Sequence, residues 1–188
     1  MRSVCLAVLT TCSLACAQSC TESPSDWRAE LASWKYPKAL PSFPLVDERG
    51  RAFHLRDVDG PVVMGFVFTR CPVADACPLT MSRLLQVHDK APALRIVVVT
   101  LDPAFDTSSV LLEYQQRFHA DGITLATGDP AVIAALTSLF NVVAVTQGDD
   151  NIAHPVKLAL LDRKLRPVHE WSDNNFQPQE IVDAASAQ

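Results

Sequence analysis

FVFTRCPVADACPLTMSRLL, residues 66 to 85, is the stretch on which the fold turns. Its first residues end an apolar run, and its last residues carry apolar positions at helical spacing. Between them stand Cys71 and Cys77, with five residues between the two and each followed by a proline. Pro78 suits a first helical position, which puts Cys77 at the helix cap and Cys71 in the loop above it. The stretch therefore reads as strand, cysteine loop, helix.

Working outward, PVVMGFVF (61 to 68) and LRIVVVTL (94 to 101) are continuous apolar runs of the kind buried on both faces of a central sheet. Helical spacing fills 78 to 91 between them and returns at 107 to 120 and 129 to 140, the last opening on Asp129-Pro130. ITLAT (123 to 127) reads as a short strand. FPLVDERGRAFHL (43 to 55) turns at Glu48-Arg49-Gly50 as a hairpin, and KLALLD (157 to 162) with LRPVHEW (165 to 171) makes another, before a helix near 177 to 186. Parallel crossover units followed by an antiparallel hairpin predict an α/β fold: a thioredoxin-like mixed sheet flanked by helices, with an extra N-terminal β-hairpin.

The 188-residue chain has a net charge of −5 and a pI near 5.4, with its acidic residues dispersed and no Lys/Arg block to neutralise a run of phosphates. Nucleic acid is excluded as a natural partner. Residues 1 to 20, with Arg2, an apolar stretch from Val4 and small residues at Ala15 and Ala17, have the layout of a secretory signal. Ser13 to Cys16 also resembles a bacterial lipoprotein box, in which Cys16 would carry lipid and tether the protein to the outer face of the cytoplasmic membrane. The expected location is the periplasm or that face, with any membrane contact made through the lipid alone. Residues 21 to 40 read as a linker or arm that Trp27, Leu31, Trp34 and Tyr36 could dock, and 41 to 188 as the domain.

Outside the cytoplasm a pair of thiols is either a disulfide or a managed site. A structural bridge across so short a loop would stabilise little. A helix start lowers a thiol's pKa and raises its reactivity, which suits thiol-disulfide exchange, with peroxide reduction as a further thiolate chemistry. The same place suits Cu(I), a soft ion that takes thiolate and imidazole in low-coordinate sites. His54, His88, His119 and His169 read as surface or cap residues, whereas His154 precedes a strand in a loop that faces the cysteine loop in a thioredoxin-like sheet. Asp102 and Asp106 could orient a ligand or serve as turn and cap, and Arg70 could favour the Cys71 thiolate. Met64 and Met81 read as core residues.

FVFTRCPVADACPLT is similar to the signature of the Sco/SenC family, an apolar strand, then Thr, any residue, Cys-Pro and a second Cys-Pro. FPLVDERGRAFHLRDVDGPVVM, VVVTLDPAFDTSSVLLEYQQRF, LATGD and His154 before KLALLD extend the resemblance over roughly residues 41 to 186. It implies a thioredoxin-like, exported copper-binding protein, a metallochaperone more than an enzyme, with Cys71, Cys77 and His154 as ligands of a copper ion. The implied partner is the copper-bearing subunit of cytochrome c oxidase, whose CuA centre such proteins help to assemble, or another exported copper protein. A thiol reductant would keep the pair reduced. The alternative role is that of a thiol-disulfide oxidoreductase, with Cys71 and Cys77 catalytic. Two features set the chain apart: the family spaces its cysteines by three residues, and His154 is followed here by Pro155, a thioredoxin pattern that favours thiol chemistry.

Overall fold

The computed structural model describes residues 26–35, 38–147 and 151–188. The expected signal segment, Cys16, Cys20 and Tyr36 lie outside the described residues. The strands are β1 (Pro44–Asp47), β2 (Ala52–His54), β3 (Val62–Val67), β4 (Arg95–Thr100), β5 (Thr124–Thr127), β6 (Val145–Gln147), β7 (Asn151–Ala153), β8 (Leu158–Leu161) and β9 (Pro167–Trp171). The helices are α1 (Trp27–Ala32), α2 (Cys77–Lys90), α3 (Ser108–Phe118), α4 (Pro130–Leu139) and α5 (Pro178–Ser186). Seven strands form one mixed sheet in the order β2-β1-β5-β4-β3-β8-β9, with β3, β4 and β5 parallel and the outer strands antiparallel. The early hairpin thus adds two strands beyond β5, and the fold is thioredoxin-like as the element order predicts.

The central strands are apolar throughout because both of their faces are covered. A Cβ on Gly65 would meet Leu158 at 2.8 Å and Leu84 of α2 at 3.6 Å. Its neighbour Phe66 points to the other face, where its ring lies 5.6 Å from that of Phe140, just past α4. So α2 and the end of α4 cover opposite faces of β3. Within the expected arm, α1 is capped by Asp26, and Trp27 is buried with its ring 5.5 Å from Phe43.

Both edge hairpins turn on one device. Asp47 accepts from the backbone N–H groups of Arg49 and Arg51 and from the Arg51 side chain. Asp162 does the same with Lys164 and Arg166. Burial works against both carboxylates, but these hydrogen bonds outweigh it and hold each below the usual carboxylate range. Each turn carries a left-handed residue, Gly50 (φ 77°) in the first and Leu165 (φ 57°) in the second.

At the C-terminal ends of β3 and β4 a third carboxylate ties the strands' exits together. Asp106, fully buried, accepts from the Thr69 backbone N–H at 3.1 Å, from the Thr69 hydroxyl at 2.5 Å and from the Thr100 hydroxyl. Burial raises its pKa against the pull of these donors, and the nearby Asp102 adds to the rise. A raised carboxyl contributes its stability below the unfolded-state pKa and loses it as pH climbs through the folded-state value. Asp106→Asn, which can accept and donate in the same places, is therefore expected to hold or gain stability at pH 7 to 8 and to flatten the pH dependence. Asp106→Ala, which strands three donors, is expected to cost about 3 kcal/mol. Denaturant unfolding of both variants between pH 5 and 8 checks this, and equal damage from Asn and Ala would refute it.

Candidate metal and thiol site

The strand β3 ends at Val67, and the chain runs on through Phe68 to Ala76 before entering α2 at Cys77. The sequence expects Pro78 at the first helical position and Cys77 at the cap, but α2 begins one residue earlier: Cys77 is its first residue, Pro78 its second, and the cap position falls to Ala76. Cys77 is almost wholly buried (1% exposed), while Cys71 is half-buried, and both are free thiols. No disulfide therefore closes the loop in this state. The Cys71 Sγ lies 3.8 Å from the carbonyl of Val73.

The expectation of an activated thiol at the helix start fails for Cys77. Burial pushes its pKa up, the neighbouring Cys71 adds to the rise, and a backbone hydrogen bond at Phe68 opposes it without prevailing. The sulfur sits inside the protein, where its charged form loses hydration. Cys77 is thus a neutral thiol at physiological pH.

His154 arrives from the neighbouring strand, since it leads into β8, which pairs antiparallel with β3. The sequence reads its surroundings as a plain loop, but β6 and β7 form a two-stranded antiparallel ribbon, and His154 is the first residue beyond it. Its Nε2 lies 3.5 Å from Cys77 Sγ, and its ring makes an edge contact with Phe68 at 5.7 Å. Its Nδ1 lies 2.9 Å from the Pro155 carbonyl, which can accept only from a protonated Nδ1. That bond leaves the Nε2 lone pair directed at the sulfur. Burial holds the imidazole below its ordinary pKa, the Pro155 contact opposing it, so the ring is neutral at pH 7.

Cys77 thus stands between Cys71 and His154. Among the described residues, no three His, Cys, Asp or Glu side chains form a compact group that could hold an ion as they stand. The donor chemistry nevertheless fits a soft metal: two sulfurs and one neutral imidazole nitrogen on neighbouring elements. Of the two sulfurs, Cys71 is the more exposed.

The remaining candidates take structural places. Arg70 pairs with Asp102 at 2.8 Å and lies over the Phe105 ring at 4.0 Å, so its charge is answered by a carboxylate. Asp106 anchors Thr69, and Thr107, not Asp106, caps α3. Met64 and Met81 are fully buried in the core. His54 pairs with Ser42, His119 ends α3 in a left-handed conformation, His169 stacks on Trp171, and the His88 ring lies against Gly122. Sequence reasoning missed Asn174, which bonds to the cysteine loop from 98 residues away. Only the pairing of β8 with β9 brings it there, and no local pattern announces it.

A model of the SCO1/SenC family matches residues 35–187. A protein of Stutzerimonas stutzeri named as copper-binding is 32% identical over 134 residues, which is 66% of this chain and 64% of the relative. An SCO2-like protein of Rickettsia felis is 34% identical over 115 residues, covering 58% of this chain and 55% of its own. The chain spans less than two thirds of the length of these curated relatives. Among solved structures, Bradyrhizobium japonicum ScoI with copper bound superposes with a TM-score of 0.64 at 26% identity, over 78% of this chain and 96% of its own. A SCO1/SenC family lipoprotein from Bacillus anthracis gives 0.73 at 20% identity over 81% and 95%, a likeness of fold. With a matching family model over most of its length, a thioredoxin-like sheet and a cysteine loop facing a histidine, the chain belongs to the SCO1/SenC family.

Proposed function

We propose that this protein is an exported copper-binding protein that takes Cu(I) on Cys71, Cys77 and His154 and passes it by ligand exchange to a partner copper protein, the CuA-bearing subunit of cytochrome c oxidase. The observation that carries the reading is the 3.5 Å approach of His154 Nε2 to Cys77 Sγ, with Nδ1 engaged by a carbonyl so that the free nitrogen faces sulfur. Copper is the cargo. The copper-binding name of the Stutzerimonas relative and the copper in the Bradyrhizobium structure support that identity of the metal.

The roles of the three residues follow from their burial. Cys71, the more exposed thiol, meets an incoming copper complex first. Cys77 and His154 then draw the ion inward, and Cys77 gives up its proton in doing so. The reverse order hands the ion back through Cys71 to the partner's ligands.

The same asymmetry supports a second reading, reduction of a partner's disulfide. Cys71 attacks one partner sulfur as thiolate, the other partner sulfur leaves as thiolate, and Cys77 resolves the mixed disulfide by bonding to Cys71 and releasing the second partner thiol. The product is a Cys71–Cys77 disulfide, and a separate thiol reductant returns it to the dithiol.

Anaerobic Cu(I) titration of the reduced domain from residue 21 onward against a competing chelator tests the first reading. One tightly held ion is expected, with affinity falling at least about a hundredfold in His154→Ala, on the scale of lost shell contacts at metal sites. Binding indifferent to His154 would overturn it. Because Cys77 enters the reaction protonated, affinity is expected to rise by about tenfold per pH unit for each thiol proton displaced between pH 6 and 8. A flat profile would mean that the buried thiol takes no part. For the second reading, Cys77→Ser is expected to accumulate a mixed disulfide at Cys71, seen by non-reducing electrophoresis, and Cys71→Ser to give none.

A further inference from the structure

The loop that carries the cysteines is held at both ends, and only the front hold comes from residues the sequence singles out. There Asp106 fixes Thr69 and Asp102 fixes Arg70. The rear hold belongs to Asn174, in the segment joining β9 to α5. Its Nδ2 donates to the Asp75 carbonyl at 2.8 Å and to the Ala76 carbonyl at 3.2 Å. Its Oδ1 accepts from the Thr80 hydroxyl at 2.9 Å, and that hydroxyl also reaches the Ala76 carbonyl at 3.0 Å.

The local sequence leaves this helix start without a cap of its own. The residue before Cys77 is Ala76, at φ −107° and ψ −110°, with no side chain to bond an α2 N–H group. Ser, Thr, Asp or Asn at that place would set the entry angle of the chain. Pro72 and the length of the loop give no substitute, since the run from Pro72 to Ala76 is longer than the three-residue loop of the family resemblance. The direction in which Cys77 enters the helix is therefore set from outside, by an amide on the far side of the β8–β9 hairpin.

We propose that Asn174 is a positioning residue for this site: by clamping the Asp75 and Ala76 carbonyls it fixes the rear of the cysteine loop and keeps Cys77 Sγ facing His154. The effect on metal affinity rests on the copper-binding reading above, whereas the clamp on the loop does not. Arg83 steadies the same segment through the Phe176 carbonyl at 2.5 Å, so the segment carrying Asn174 is itself tied to α2.

The test uses the full chain with Cys5, Cys12, Cys16 and Cys20 replaced by serine, so that Cys71 and Cys77 are its only thiols. Amide hydrogen exchange and Cu(I) competition are measured for this parent, for Asn174→Ala and for Asn174→Asp, which keeps the volume and the acceptor but turns a carboxylate on two carbonyls. The amides of Ala76 and Thr80 donate to Val73 and Ala76 carbonyls and so report the loop and the helix start. Both variants are expected to exchange there about tenfold faster, the scale of one or two lost hydrogen bonds, with exchange in β3 and β4 unchanged. Copper affinity is expected to fall about tenfold in Asn174→Ala and further in Asn174→Asp. Exchange at parent rates in both variants overturns the clamp, and faster exchange with parent copper affinity overturns the positioning role. A parent that binds no copper competitively while the variants still loosen the loop sinks the copper reading and leaves the clamp standing.

Discussion

Everything at the top of this molecule depends on how β3 and β4 end side by side. The two strands are paired in parallel register from Val62 with Arg95 to Val67 with Thr100, and their exits must diverge, one into the cysteine loop and one toward α3. Asp106 holds the two exits together by binding Thr69 from one and Thr100 from the other. A buried carboxyl is a costly way to do this, and its elevated pKa records the cost. The return is geometric: with Thr69 fixed, Cys71 begins its loop from a defined point two residues on.

The second constraint is dielectric. Cys77 and His154 are drawn into a largely apolar setting, with the Phe68 ring against the imidazole. Burial favours the neutral form of each, a protonated thiol and an uncharged ring. A neutral imidazole is ready to donate its lone pair, but a neutral thiol must first lose a proton. The two donors therefore stand at different stages of readiness, and the sulfur sets the pH dependence.

The fold is largely legible in the sequence because its strands are buried on both faces. VVMGFV and RIVVVT can be little else than central strands, and the Pro78 and Asp129-Pro130 signals mark where α2 and α4 begin. The β6–β7 ribbon is not legible: three residues a side, without the alternation of a half-buried strand, leave no periodic signal. At the site, Cys71 and Cys77 stand out by their place between strand and helix, and His154 by its place before β8. The electrostatics do not stand out. A helix start argues for an acidic thiol, and only the packing around Cys77 reveals that burial wins. Asn174 is invisible for a related reason, since its partners are backbone carbonyls with no residue type to pair against.

The ribbon has one more consequence. Cys71 and Cys77 are fixed to the seven-stranded sheet, whereas His154 hangs from the exit of a separate two-stranded one. The sulfur and the imidazole thus reach the site on different pieces of chain, the start of α2 and the exit of the ribbon, and Ile152 of the ribbon packs against the core that α2 also covers. A change in the ribbon therefore reaches the nitrogen donor without touching the backbone that carries either sulfur.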